Sequence, residues 1–156
     1  MLNPWYVSGF CDGEAAFTYS RIGGTFGLYF AIKQREDNRQ IVEDIQAYFN
    51  YVGYIYRGKE AQPTKNSGFS QPSAYYRVTK IDELQRVIEH FDKYPLQSKK
   101  KQEAYNIWRE MVIYKFKNYR NVDYDKLRLL AEKLSSLNSQ SRALSRRAVK
   151  LEAGSR

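Results

Sequence analysis

Two acidic residues near the N-terminus, Asp12 and Glu14, lie at the end of a segment that has the pattern of a helix. Asn3 is a favoured N-cap residue, and Pro4 occupies the first helical position, where its missing N–H removes no hydrogen bond. A β-rich run follows, so the helix is expected to end near Ala15. Because a helix C-terminus carries unpaired carbonyls and partial negative charge, carboxylates there repel anions and attract a cation. The pattern predicts a divalent-metal site at the end of this helix.

The same helix carries small residues along one face. Gly9 and Gly13 are four residues apart, which lets another helix backbone approach closely, and Ser8 is also small. The partner is either a helix of the same subunit or a second copy of this helix across a two-fold axis. In the second case we expect Ser8, Gly9, Asp12 and Gly13 in the dimer interface, with two Glu14 side chains close together.

The rest of the composition limits the chemistry. The chain has 156 residues, enough for one domain with its own core, and it contains one cysteine and one histidine. A lone Cys11 excludes an internal disulfide and a thiolate zinc site, and with His90 alone neither a histidine-rich metal site nor a Ser-His-Asp triad is expected. A bound metal should be a hard, oxygen-liganded ion: Mg²⁺, or another divalent cation such as Mn²⁺ or Ca²⁺ at the same position.

The charge balance indicates a polyanionic partner. The net charge is +9 with a pI near 9.6, and 14 tyrosines supply rings and hydroxyls suited to a surface that meets phosphates and bases. We therefore expect a nucleic acid as the partner, which the family resemblance given below makes double-stranded DNA, and no small-molecule substrate. No run of 18 apolar residues and no secretory signal pattern is present, so we expect a soluble, intracellular protein without a membrane partner. The sequence does not choose between cytoplasm, nucleoid and organelle.

Three stretches carry a resemblance to one family. The run from Trp5 to Phe17 has small and apolar residues, glycine, an aromatic residue and then Asp-Gly-Glu, and it resembles the signature motif of the LAGLIDADG homing endonucleases. Residues 30–34 (FAIKQ) and 94–101 (YPLQSKKK) resemble two further family segments in the same order and spacing. Ala15 and Ala16 stand where relatives more often carry Gly-Ser, which leaves the acids in place. Because the chain has one Asp-Gly-Glu motif, the resemblance implies the single-motif, homodimeric type.

The resemblance implies an α+β fold, the αββαββα half-fold, whose four-stranded antiparallel sheet forms a saddle with helices on one face. Hydrophobic periodicity and turn residues agree with this order and add C-terminal helices. The predicted helices are Pro4–Ala15, Asp37–Phe49, Ile81–Phe91, Ser98–Tyr114 (capped by Ser98), Asp123–Leu137 and Leu144–Leu151; the predicted strands are Ala16–Ile22, Thr25–Gln34, Tyr54–Arg57 and Ser73–Thr79, with a Gly23-Gly24 turn and a loop at Gly58–Pro72. One domain is expected over residues 1–152, with the motif and dimer helix at 3–15, a basic helical tail at 123–151, and disorder at 153–156.

The resemblance also implies roles for individual residues. Glu14 corresponds to the metal-binding acid, and the Gly13 carbonyl would complete the inner shell. Gln34 matches the polar residue that orients the attacking water. Lys99 matches the basic residue that stabilises developing charge, although a run of three lysines leaves the register open. Asp12 stays open between a catalytic role and an anchoring role, in which it bonds to backbone at the helix end or across the dimer.

The strands also predict a nucleic-acid surface. If the apolar strand residues face the helices, the alternate set faces the DNA: Thr18, Ser20, Ile22, Thr25, Tyr29, Lys33, Tyr54, Tyr56, Ser73, Tyr75 and Arg77. Arg77 is the best single candidate for reading a base, and the alternative for it is a surface ion pair. Phosphate contacts are expected from Lys100, Lys65, Arg142, Arg146, Arg147 and Lys150. For the tail residues of this set, a solvated charged face is the alternative.

Together these features predict a homodimeric, Mg²⁺-dependent, site-specific DNA endonuclease. The resemblance implies a staggered cut with short 3′ overhangs at the near-palindromic target of its own mobile intron. Two alternatives use the same fold without cleavage. One is an RNA maturase that assists group I intron splicing, and the other is a DNA-binding regulator that has lost catalysis.

Overall fold

The computed structural model describes residues 1–58, 63–64, 68–69 and 72–137. The α-helices in this part of the chain are α1 (Pro4–Glu14), α2 (Arg39–Tyr48), α3 (Leu84–Lys93), α4 (Lys99–Lys117) and α5 (Tyr124–Leu137). None of these helices combines the length and the apolar character that crossing a membrane requires. The predicted helix at 144–151 and the predicted phosphate contacts Lys65, Arg142, Arg146, Arg147 and Lys150 lie outside the described residues.

Four strands form one antiparallel sheet in the order β1-β2-β6-β3. They are β1 (Ala15–Ile22), β2 (Thr25–Arg35), β3 (Tyr54–Arg57) and β6 (Ser73–Val78), while β4 (Pro63–Thr64) and β5 (Gly68–Phe69) pair with each other in a separate two-stranded ribbon. The order α1-β1-β2-α2-β3-β6-α3 confirms the predicted αββαββα half-fold, and α4 and α5 follow it.

The hairpin between β1 and β2 sets the register of the sheet. Gly23 and Gly24 have φ angles of +54° and +83°, and a two-residue turn of this kind requires positive φ at both central positions. Ile22 then pairs with Thr25, and the same register pairs Ala15 with Ile32 at the far end of the hairpin. Because directly paired residues point to the same face, this register decides which side chains meet the helices.

One face of the sheet packs on the helices and forms the core. Phe17, Phe30 and Tyr76 come from three neighbouring strands and are 4%, 0% and 0% exposed. The ring of Phe17 meets Trp108 of α4 nearly edge-to-face, with centroids 5.2 Å apart. The indole Nε1 of Trp108 also donates to the carbonyl oxygen of Thr18, at 3.1 Å, so the same side chain fills the core and satisfies a strand carbonyl. Aromatic packing therefore holds α4 against β1.

Several helix boundaries differ from the predicted ones, and the segment predicted as a loop contains two short strands. The ribbon of β4 and β5 lies within the segment predicted as a loop, and its polar composition did not indicate it. Residues Glu36–Asn38 form a 3₁₀ turn, so α2 begins two residues later than the predicted Asp37. Helix α3 begins at Leu84 rather than Ile81, and α4 continues past Tyr114. Hydrophobic periodicity marks the body of a helix but not its ends, where 3₁₀ turns and caps replace the regular pattern.

Candidate functional site

The carboxylate of Glu14 lies at the junction between α1 and β1. Asn3 starts the helix by accepting a hydrogen bond from the backbone N–H of Trp5 at 2.9 Å. Ala15, with φ −84° and ψ 152°, ends the helix and begins the strand without an intervening loop. The exposed side chain of Glu14 accepts a hydrogen bond at Oε2 from Nε2 of Gln34, at 3.1 Å. The structure therefore brings together the acid and the amide that the resemblance singled out.

The register of the sheet explains this contact. Because Ala15 pairs with Ile32, Gln34 lies two residues beyond the start of β1, beside the end of α1. Asn38, in the 3₁₀ turn that follows β2, donates from Nδ2 to Oε1 of Gln34 at 3.0 Å. With its oxygen facing Asn38, the Gln34 amide presents its nitrogen to Glu14. Asn38 was not among the predicted site residues, since an amide in a turn carries no sequence signal of its own.

Asp12 binds the start of α4. Its Oδ2 accepts hydrogen bonds from the backbone N–H groups of Gln97 and Ser98, both at 2.9 Å, and its Oδ1 accepts one from the Ser98 hydroxyl at 2.6 Å. Burial alone would raise the pKa of Asp12, but these hydrogen bonds outweigh it and lower the pKa below its ordinary value. Ser98 is the N-cap residue of α4 but makes no capping hydrogen bond with its own side chain, which corrects that prediction. The Asp12 carboxylate, predicted in the dimer interface, has both oxygens held by its own protomer, as the anchoring role requires.

Among the described residues, the third of the three consecutive lysines forms a hydrogen bond to the α1–β1 junction. Nζ of Lys101 donates to the carbonyl oxygen of Ala15 at 2.5 Å. Burial lowers the pKa of this ammonium, and the nearby carboxylates of Asp12 and Glu14 oppose that shift. The two preceding lysines are exposed. Of the lysines between which the predicted register was left open, Lys101 lies at this junction and Lys99 does not, because two residues along a helix turn the side chain by about 200°.

Ser8 lies inside the protomer. It is 2% exposed, and its Oγ donates to the carbonyl oxygen of Tyr94 at 2.6 Å. Since the single hydroxyl proton goes to that carbonyl, Oγ accepts from Nε2–H of His90 at 3.0 Å, and Nδ1 of His90 accepts from the Tyr48 hydroxyl at 2.9 Å. Burial lowers the pKa of His90 to about 4, so the ring is neutral near pH 7. The side chain of Ser8, which was predicted for the dimer interface, points into its own protomer and joins α1 to α3.

The outer face of α1, formed by Trp5, Tyr6, Gly9 and Gly13, is uncovered in the protomer. A Cβ added at either glycine would meet no atom within 4 Å among the described residues. Trp5 and Tyr6 are 53% and 50% exposed. Neither glycine has a positive φ, so the fold of the protomer does not require them, and glycine inside a helix costs about 1 kcal/mol relative to alanine. Packing among residues 1–58 and 72–137 does not account for them, and in this part of the structure the face is available to a second helix.

The register places the predicted strand contacts on one face of the sheet. Thr18 pairs with Tyr29, Lys33 pairs with Tyr75, and Tyr75 pairs in turn with Tyr56. We call the side turned away from the helices the open face; it carries Thr18, Ser20, Ile22, Thr25, Tyr29, Lys33, Tyr54, Tyr56, Ser73, Tyr75 and Arg77. Lys100 lies outside this set, on the wall of a groove that it shares with Ala16, Thr18 and Lys101.

Two cations on the open face are stacked on tyrosine rings. The guanidinium carbon of Arg77 lies 4.0 Å from the ring centroid of Tyr29, and Nζ of Lys33 lies 5.2 Å from that of Tyr75. Tyr75 stacks on Tyr56 with centroids 5.1 Å apart and an interplanar angle of 5°. Burial alone would lower the pKa of Arg77, but the neighbouring Tyr29 and Tyr56 outweigh it and raise the pKa. Within the described residues Arg77 forms no ion pair, so the alternative proposed for it has no support there.

The donor set that one protomer offers to a cation is small. Among the described residues, no three His, Cys, Asp or Glu side chains form a group that would hold a metal ion. Glu14 supplies a carboxylate, and the end of α1 supplies backbone carbonyls such as that of Gly13. These are hard oxygen donors of the kind that Mg²⁺ takes, together with waters and substrate phosphates. The residues fit such an ion, but one protomer provides only part of its coordination shell.

An αββαββα half-fold, whose uncovered first helix ends in an exposed acid, defines the LAGLIDADG class. A family profile described as LAGLIDADG endonuclease matches residues 7–112, and the chain belongs to this family. The probable intron-encoded endonuclease 2 of Neurospora crassa is 31% identical over 103 residues, which cover 61% of this chain and 21% of that protein. The LAGLIDADG meganuclease I-AabMI, solved bound to uncleaved DNA, is 30% identical, with a TM-score of 0.66 and coverage of 88% of this chain and 44% of that chain.

A third comparison supports the fold at full length. The homing endonuclease I-TnaI is 21% identical, with a TM-score of 0.66 and coverage of 97% of both chains. By contrast, the chain spans about a fifth to a quarter of the curated relatives it matches (21% and 24%) and less than half of the I-AabMI chain. The fold therefore corresponds to one half of a two-domain relative or to the whole of a single-domain one.

Proposed function

We propose that this chain is a homodimeric, divalent-metal-dependent, site-specific DNA endonuclease of the intron-homing kind. The observation that carries the proposal is the position of Glu14. Its exposed carboxylate lies where the uncovered helix α1 meets the open face, with Gln34 hydrogen-bonded to it and Lys101 bonded to the adjacent backbone. The names of the relatives, a probable intron-encoded endonuclease and a meganuclease bound to DNA, support the same activity.

Hydrolysis of a phosphodiester needs an activated water, neutralisation of charge at the phosphate, and a proton for the leaving oxygen. A Mg²⁺ ion held by Glu14 and the Gly13 carbonyl would supply Lewis-acid chemistry at the scissile phosphate. Gln34, held in orientation by Asn38, places an amide beside that carboxylate, where it would orient solvent. The half-buried ammonium of Lys101 would stabilise negative charge that develops on the phosphate oxygens.

The proposal requires two copies of the chain, because one protomer supplies one Glu14 and a double-strand cut needs two acid sets. Pairing of α1 across a two-fold axis, with Gly9 of one copy against the helix of the other, would bring the two acids together. It would also cover Trp5 and Tyr6, which are half exposed in the protomer. Isologous pairing of this kind predicts a near-palindromic target, with one half-site on each open face.

Cleavage of plasmid DNA tests the activity. The plasmid carries the intronless host junction, or a site selected from a randomised duplex library, and is incubated with and without Mg²⁺. We expect the wild-type chain to linearise it only with the metal, and Glu14→Gln to bind without cutting. Glu110→Gln removes an exposed carboxylate nine residues beyond Lys101 on α4 and should cut like wild type.

The other outcomes separate the alternatives. Sequence-specific binding by wild type without cleavage under any divalent metal would indicate a regulator. Intron splicing that is stimulated by wild type and Glu14→Gln alike would indicate a maturase. Affinity for DNA should fall with salt, with a slope of about −0.9 in log–log form per phosphate contacted. A flat salt response, or a persistent monomer on DNA, would contradict the proposal itself.

A further inference from the structure

The position of Arg77 on the open face depends on its neighbours in the sheet. Arg77 pairs with Ala31 of β2 on one side and with Tyr54 of β3 on the other. Ala31 has no side-chain atom beyond Cβ, so the arginine side chain has room to lie above it. Tyr29 is two residues from Ala31 on the same face of β2, and its ring receives the guanidinium at 4.0 Å from centroid to carbon.

This stack covers one face of the cation, and the donors that remain for a ligand are those of the terminal nitrogens, since Nε is buried. A guanidinium on a tyrosine ring has one planar face covered, while the N–H groups at its edge stay free to form hydrogen bonds in the plane. Nε of Arg77 is buried and has no hydrogen-bond partner among the described residues, so no bond at that nitrogen holds the plane. The ring of Tyr29 covers one face of the guanidinium, and Tyr54 and Tyr56 also act on this group. A side chain that is ordered before binding loses less conformational entropy when it meets its ligand.

We propose that Arg77 determines specificity at one base pair of each half-site by a bidentate contact to guanine, and that Tyr29 is a positioning residue for Arg77 rather than a reader of its own base. The inference rests on the proposed DNA-binding function. Guanine presents O6 and N7 as paired acceptors in the major groove, and the guanidinium fork matches them. A good contact of this kind gives about a 5- to 150-fold preference over the wrong base.

The second stacked cation supplies an internal control. Lys33 lies over Tyr75, and this pair stands in the next row of the sheet, two residues along the strands from Arg77 and Ala31. A Tyr75→Leu substitution removes a ring of the same type from the same face. This substitution removes the ring on which Lys33 is stacked, and it leaves the Tyr29 ring beneath Arg77 in place.

The experiment is selection of bound sites from a randomised duplex library by the full chain, followed by sequencing, for wild type and four variants. Arg77→Ala and Tyr29→Leu should lose guanine preference at the same base pair of each half-site, and for Tyr29→Leu the loss should be about 2- to 30-fold. Tyr29→Phe keeps the ring and should keep the preference. Tyr75→Leu should leave that base pair unchanged.

Three results would overturn the inference. Tyr29→Leu relaxes a different base pair from Arg77→Ala, Tyr29→Phe relaxes specificity as strongly as Tyr29→Leu, or Tyr29→Leu lowers affinity uniformly with every preference retained. Thermal unfolding of each variant is recorded first. If Tyr29→Leu does not fold, Tyr29→Phe decides alone. If Tyr29 contacted a base through its hydroxyl, Tyr29→Phe would lose specificity. If the wild-type chain selects no sequence, the proposed function itself has failed, which is a separate outcome.

Discussion

Replacement of Asp12 tests whether one acid of α1 holds the fold while its neighbour Glu14 serves the site. Asp12 accepts three hydrogen bonds from Gln97 and Ser98, with donor–acceptor distances of 2.6 to 2.9 Å. Loss of a capping carboxylate costs about 0.5–2 kcal/mol, and hydrogen bonds to a charged group about 1.5–3 kcal/mol. Because Asp12 is partly exposed and solvent screens its charge, we expect Asp12→Ala to lower the free energy of unfolding by about 2 kcal/mol.

Two further substitutions sharpen the test. Asp12→Asn keeps one acceptor oxygen and should cost less than Asp12→Ala. The Glu14 side chain is exposed and forms only one side-chain hydrogen bond among the described residues. The free energy of unfolding of Glu14→Gln should therefore stay within about 0.5 kcal/mol of wild type. The measurement is urea unfolding, in which a loss of 2 kcal/mol moves the midpoint by about 1 M for a domain of this size.

The pH dependence follows from the same contacts. The pKa of Asp12 is lowered in the folded chain, so its stabilisation is complete above the unfolded value near 3.9 and is lost as the pH falls through the lower folded pKa. Asp12→Ala should remove that part of the acid dependence. An Asp12→Asn variant with unchanged unfolding and lost cleavage would refute the anchoring role and return Asp12 to the catalytic set.

Three other predictions concern the site, the uncovered helix and the core. Lys101→Met should lower the cleavage rate by about 10²- to 10³-fold with DNA binding retained, while Lys99→Met should cut at a rate near that of wild type. Gly9→Leu should leave thermal unfolding of the protomer intact but abolish the dimer in sedimentation equilibrium, and a dimer that persists would contradict the role assigned to this face. Because the folded pKa of His90, about 4, lies below its ordinary value near 6.5, its contribution is complete above pH 6.5 and falls by about 3 kcal/mol toward pH 4. The urea midpoint of the wild-type chain should therefore fall more steeply between pH 6.5 and pH 4 than the midpoint of His90→Gln.

Much of the fold was predictable because its signals are local. The alternation in β2 and the Gly23-Gly24 turn specify a hairpin from adjacent residues alone, and the hairpin then assigns side chains to the two faces. The strand Tyr54–Arg57 was predicted with its observed bounds. The ribbon of β4 and β5 was not, since strands of two residues are too short to show a periodicity.

The partners within the site were less predictable, because they come from distant parts of the chain. Asp12 and the residues that donate hydrogen bonds to it in the α3–α4 connection are more than 80 residues apart, and so are Ser8 and His90. Sequence spacing gave no means to decide between Lys99 and Lys101. That choice depends on how α4 is rotated against the α1–β1 junction, which core packing around Trp108 sets.

By itself, the sequence determined that an acid ends a glycine-bearing helix, that a polar, tyrosine-rich face runs along an antiparallel sheet, and that a cation, if bound at this helix end, would meet oxygen donors. Each of these follows from residue type and short-range periodicity. Only the tertiary structure decided that Asp12 turns to its own protomer while Glu14 stays exposed, and that Ser8 points inward while Gly9 points out. Neighbours on a helix face in different directions, and what each one meets depends on the packing of segments that are far apart in the chain.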